Sequence, residues 1–264
     1  MMIRKLLLVL VLVCSVGVVS AQDDAPVFVL VHGAFQDASG WDGVIAALEA
    51  DGYSAIAVEQ VGHGDDTPIS EITLDTYRDA VIEVIEAQSS PVILVGHSFG
   101  GLVISAVAEA IPAQIDTLVY LAAYLPQDQD SLVTLSSQDH YSVLGQEGNF
   151  ILADGFSTAS VLESAFASAF CPDCDEAQLA VVAASQLPEP LAPLNIPVTL
   201  TDANFGAVRK VYILTAEDVV VSPQLQALML SNTPVDHVYA LNTGHAPYIS
   251  APDALAALLV ESAA

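Results

Sequence analysis

Short apolar runs along this chain alternate with segments whose apolar positions recur at three- and four-residue intervals. Val27–Val31 is a first apolar run, closed by His32-Gly33. Trp41–Ala50 places Trp41, Val44, Ile45 and Leu48 on one helical face and is stopped by Gly52. Ser54–Val58 reads as a second strand, with Gly62-His63-Gly64 in the turn after it. Leu74–Ala87 puts Leu74, Tyr77, Val81, Val84 and Ile85 on one face of a helix. Pro91–Val95 reads as a buried strand, Leu102–Ala110 as a helix rich in small residues, and Ile115–Ala122 as strand again. The rhythm breaks after Pro126. Between Gln127 and Ala207 only short helical pieces stand out, near Ala159–Phe170 and Glu176–Gln186, before a stretch marked by Pro188, Pro190, Pro193 and Pro197. Alternation resumes with strand Lys210–Thr215, helix Pro223–Ser231, strand Val235–Leu241 and helix Ala254–Val260. Strands alternating with helices predict an α/β fold, a mostly parallel sheet with helices on both faces. The irregular middle predicts an inserted helical cap over residues 127–207, between core segments 22–126 and 208–264.

The first residues follow a different logic. Arg4 and Lys5 precede the unbroken apolar stretch Leu6–Val13, and Val19-Ser20-Ala21 has the small residues of a signal-peptidase site. The apolar stretch is shorter than the roughly 18–20 residues a membrane span needs. Residues 1–21 are therefore expected to be a cleaved signal peptide, which places the protein in the periplasm or the medium with no stable membrane association. In such a compartment Cys171 and Cys174 favour a local disulfide, and no second cysteine pair exists to complete a four-cysteine metal site.

Charge narrows the partners. The chain has 5 Lys and Arg against 32 Asp and Glu, a net charge of −27, so no basic patch exists for nucleic acid. With 53% apolar residues it is not a disordered acidic tail either, and most of the acids are expected on a solvated surface around a large core.

The chemistry concentrates after three of the predicted strands. Gly96-His97-Ser98-Phe99-Gly100 fits G-x-S-x-G, and it follows an apolar strand and opens a helix. The flanking glycines relieve a tight turn, lift the Ser98 hydroxyl above the sheet and turn the Phe99 amide toward it. His32-Gly33-Ala34 follows the first strand, where a second amide, that of Ala34, can join Phe99 in an oxyanion hole. A serine needs a base, and His245 lies in a loop after a strand, whereas His237 lies inside one. The acid should follow strand Lys210–Thr215, where Glu217 and Asp218 both stand; Asp128 and Asp202 are rivals elsewhere. His32 and His97 read as supports of loop geometry, and His63 and His140 as ordinary surface or loop residues. No ligand spacing for a metal and no phosphate-cradling glycine loop is evident, so no cofactor is expected.

Taken together, Phe28–Ala34 with Trp41, Val92–Gly101, Tyr120–Pro126, Asn204–Ile213, Thr215–Asp218 and Thr243–His245 resemble the α/β-hydrolase superfamily. Within it they are similar to the branch of plant methyl-ester esterases and hydroxynitrile lyases. The resemblance implies a triad of Ser98, Asp218 and His245, and it is what favours Asp218 over Glu217. It also implies that Phe35 and Tyr124 help shape the substrate site. Lyases of this branch carry threonine at the place of Gly33 and lysine at the place of Ala246, so the chain sits with the esterases. Phe35-Gln36-Asp37 and Ser39 differ from the plant esterase pattern. The function implied is hydrolysis of small, neutral, largely apolar carboxylic esters through an acyl-enzyme, with a small-molecule ester as the only expected partner. The alternatives are another chemistry of the fold, such as a lyase, or a low-turnover ligand-binding receptor.

Overall fold

The computed structural model describes residues 25–264; the expected leader, residues 1–21, lies outside them. In chain order the strands are β1 (Val27–Val31), β2 (Ser54–Val58), β3 (Val92–His97), β4 (Ile115–Leu121), β5 (Phe150–Leu152), β6 (Thr158–Val161), β7 (Glu189–Pro190), β8 (Arg209–Thr215) and β9 (His237–Leu241). The helices are α1 (Asp42–Ala50), α2 (Leu74–Glu86), α3 (Gly100–Ala110), α4 (Leu132–Ser136), α5 (Glu163–Phe170), α6 (Glu176–Ala184), α7 (Leu191–Asn195), α8 (Pro223–Asn232), α9 (Pro247–Ser250) and α10 (Pro252–Ser262).

Six strands form one sheet in the order β2-β1-β3-β4-β8-β9, and every adjacent pair is parallel. Parallel strands need crossovers, and helices supply them, with α1 packed on α10 and α2 on α3. Every residue of β3 is buried, which is why this strand is a continuous apolar run rather than an alternating one. The helices carry their own boundary signals. Thr73 caps α2 through a reciprocal bond pair with Thr76, and Gly52 ends α1 in the left-handed region at φ +88°. In α3 the small residues serve close approach, since a Cβ at Gly101 would lie 2.2 Å from the Tyr124 carbonyl oxygen.

This topology decides where a site can form. The chain runs from β1 outward to β2, then returns across β1 to β3. The sheet therefore reverses direction between β1 and β3, and a crevice opens beyond their carboxyl ends.

The segment between β4 and β8 differs from its expected purely helical form. It contains a three-stranded antiparallel sheet, β5-β6-β7, beside α4 to α7. Ala159–Val161, the start of the helical piece expected near Ala159–Phe170, instead belongs to strand β6, with alternating burial. The sequence signal is weak because all three residues of β5 are exposed and β7 is only two residues long, one of them Pro190. Cys171 and Cys174 are joined in a disulfide.

Candidate active site

Each predicted site residue sits just beyond the carboxyl end of a core strand. Ser98 follows β3 and Ala34 follows the neighbouring β1, whose Val31 pairs with Gly96. Asp218 follows β8 and His245 follows β9, again neighbours in the sheet. Sheet order thus brings together four segments that are far apart in sequence.

Ser98 has φ +53°, a left-handed conformation uncommon for a residue with a side chain. Gly96 and Gly100 allow it. A Cβ at Gly96 would lie 2.6 Å from the Gly100 carbonyl oxygen, and one at Gly100 would lie 2.9 Å from those of Val31 and His32. Gly33 is equally constrained, since a Cβ there would meet Ser98 Cβ at 2.7 Å and His97 Nδ1 at 2.8 Å. The Ser98 amide donates to the Leu121 carbonyl, and the Ser98 carbonyl accepts from Tyr124 and Gly101, so the elbow is tied on both sides.

His245 is fully buried, and its Nδ1–H donates to Asp218 Oδ2 at 2.8 Å. Asp218 also accepts from the Thr215 hydroxyl at 2.9 Å and from the Val220 and Val221 amides at 2.8 and 2.9 Å. A carboxylate so fully occupied is committed to holding the imidazole in place. The bond also fixes the tautomer, leaving the His245 Nε2 lone pair free, and that atom has no partner among the described residues. The His97 Nε2–H donates to the His245 carbonyl at 2.9 Å, and burial holds the His97 imidazole well below the usual histidine pKa, so it stays neutral. His32 donates from Nδ1 to the Gly33 carbonyl and accepts the Gln60 amide at Nε2. Both histidines thus brace loops of the site.

The rivals fall away from it. Glu217, Asp128 and Asp202 are exposed, and Asp128 accepts the Leu200 amide. His237 is exposed at the start of β9, and His140 is exposed in the inserted segment.

His63, read as an ordinary surface or loop residue, lies in a loop but is buried. It is only 6% exposed, and its Nε2–H donates to Glu189 Oε2 at 2.9 Å. Burial alone would lower its pKa, but the hydrogen bond and charge of Glu189, with Glu59 behind them, raise it. Glu189 itself is completely buried. Sequence reasoning misses it, although it is the one charge between Glu176 and Asp202, flanked by two prolines. That isolation is the available signal.

Ala34, Phe35, Ser98 and Tyr124 line a cavity of about 760 Å³. Its outer wall comes from the inserted segment, including Val133, Phe150, Leu152 and Phe156, all substantially exposed. The charged residues lining it are Asp139 and Glu147, both acidic. Among the described residues, no group of three or more His, Cys, Asp or Glu side chains converges as metal ligands would.

A parallel six-stranded sheet with a strained serine at its switch point and a carboxylate-held histidine bonded to the preceding His97 is an α/β-hydrolase arrangement. The family model described as the alpha/beta hydrolase family matches residues 28–258, and the chain belongs to that family. It is similar to methylesterase 7 of Arabidopsis thaliana, at 30% identity over 89% of this chain and 95% of that protein. It is 35% identical, over 89% of its length, to a chloroplastic Arabidopsis thaliana protein that carries the provisional name methylesterase 11; it spans 63% of that relative. Among solved structures, a pyrethroid hydrolase of Sphingobium faniae superposes with a TM-score of 0.82 at 24% identity, covering 90% of this chain and 97% of that one. That likeness concerns the fold.

Proposed function

We propose that this protein is a serine hydrolase of small, neutral, largely apolar carboxylic esters. The observation that carries the proposal is the fully buried His245, held at Nδ1 by Asp218 and open at Nε2, and bonded through its carbonyl to His97, the residue before the strained Ser98. In this reading Nε2 takes the Ser98 proton as Oγ attacks the ester carbonyl. The Ala34 and Phe99 amides hold the oxyanion, with the α3 N-terminus adding its positive end. His245 then returns the proton to the departing alcohol and activates water to release the acid. The family's methylesterases support ester cleavage, and a cavity lined by many apolar residues, some neutral polar ones and only acidic charges supports an uncharged substrate. A cyanohydrin lyase is disfavoured because the residue after His245 is the buried Ala246, which offers no cation to a departing cyanide.

The test is a panel of p-nitrophenyl and aryl methyl esters on wild type and Ser98→Ala. The variant should keep its fold, by circular dichroism, and lose turnover by a factor on the order of 10⁶. Wild-type hydrolysis by Ser98→Ala would sink the proposal. Slow single turnover by the wild type, with ligand retained covalently, would point instead to a receptor.

A further inference from the structure

The serine mechanism has no use for the buried carboxylate of Glu189. A carboxylate removed from water is costly unless its lone pairs are matched. Here Oε2 accepts the His63 Nε2–H at 2.9 Å and the Phe35 amide at 3.0 Å, and Oε1 accepts the Tyr77 hydroxyl at 3.1 Å. Glu189 belongs to β7 in the inserted segment, whereas His63, Tyr77 and Phe35 belong to the core. Phe35 is the residue directly after Ala34. It has a left-handed backbone at φ +69°, with no glycine to make that conformation easy. Its carbonyl accepts the Leu187 amide at 2.8 Å, so both of its backbone polar groups are taken by residues 187–189.

Resting on the serine-ester reading above, we propose that Glu189 is a positioning residue: it fixes the Phe35 peptide, and through it the direction of the Ala34 oxyanion amide. His63 completes the device. An uncompensated carboxylate beside an oxyanion hole would oppose the charge that develops there. A protonated His63 makes the pair neutral, and its raised pKa agrees with that role.

The experiment compares Glu189→Leu, Glu189→Gln, His63→Gln and the double variant that combines the two glutamine substitutions, with folded fraction set by thermal melts. The readouts are kcat, KM and affinity for an alkyl boronic acid, whose anionic tetrahedral adduct with Ser98 occupies the oxyanion hole. Leucine removes the acceptor and should lower kcat and boronate affinity together, by about ten- to a hundredfold, with KM within about twofold. Glutamine at the same position should restore most of both, because its carbonyl can accept from the Phe35 amide and so keep the peptide in place. His63→Gln should lower kcat, and adding Glu189→Gln should recover it by removing the uncompensated charge.

A folded Glu189→Leu with unchanged kcat, or with the whole loss in KM, would overturn the proposal. If the leucine variant does not fold, failure of Glu189→Gln to rescue His63→Gln overturns it instead. Inactive Ser98→Ala together with fully active Glu189 variants would refute this inference alone; active Ser98→Ala would refute the reading beneath it.

Discussion

Ser98 and Phe35 share a left-handed backbone for different physical reasons. At Ser98 the conformation is enforced from within its own turn, because Gly96 and Gly100 let β3 and α3 close on β1. At Phe35 it is enforced from outside, by hydrogen bonds to residues 187–189. The buried histidines near these residues differ just as sharply, and the difference is visible in pH. His97 is held neutral by burial, below its unfolded pKa of about 6.5. Its contribution to stability is complete above about pH 6.5 and is lost as pH falls. His63 is raised by Glu189, so its contribution is complete below about pH 6.5 and fades as pH climbs through the raised value. Thermal melts from about pH 5 to 9 should therefore show His63→Gln most destabilised, relative to wild type, on the acid side. His97→Gln should flatten the acid-side fall of wild type. Parallel curves for all three proteins would contradict these assignments.

At the level of elements, the disulfide loop is where the inserted segment reaches the loop of the proposed base. Asp173 Oδ1 accepts the Gly244 amide at 3.0 Å, and a Cβ at Gly244 would fall 2.3 Å from Pro172 Cδ. Phe170, just before the loop, packs edge-on to His245 with ring centroids 5.2 Å apart. Asp173→Ala, or reduction of Cys171–Cys174 by a dithiol, should cost about tenfold in kcat with little change in KM, because a slightly displaced imidazole still permits binding. Steady-state assays before and after reduction check it, and full kcat in the reduced protein would refute it. The central core strands β1, β3, β4 and β8 are legible in the sequence because burial on both faces turns them into apolar runs. Strands β5 and β7 are not, since one is fully exposed and the other is two residues ending in proline. The same contrast holds for the site. Ser98 and His245 announce themselves because strain and strand-end placement are local properties. The His63–Glu189 contact joins residues 126 apart, and nothing local requires either of them.

Over the whole molecule, the net charge of −27 acts on stability and on product rather than on the neutral chemistry proposed at Ser98. Self-repulsion among surface carboxylates is screened by salt. The melting temperature should rise as NaCl is added from a few millimolar to about 0.5 M. Over the same range KM for a neutral ester should hold steady, while inhibition by the carboxylate product strengthens as its repulsion is screened. Salt-independent product inhibition would count against this. A second whole-molecule consequence concerns exchange of parts between relatives. The inserted segment, bounded by two core strands, invites transplantation as a specificity module. Yet Phe35 is bonded to that segment through both its backbone N–H and its backbone carbonyl. A chimera carrying a foreign insert without an acceptor at the Glu189 position should fold, bind ester and turn over poorly. Restoring that single carboxylate opposite the core's own His63 should recover rate without altering which ester is preferred. Catalytic competence and substrate choice are thus inherited through the same stretch of chain, and a graft that changes one must preserve the other.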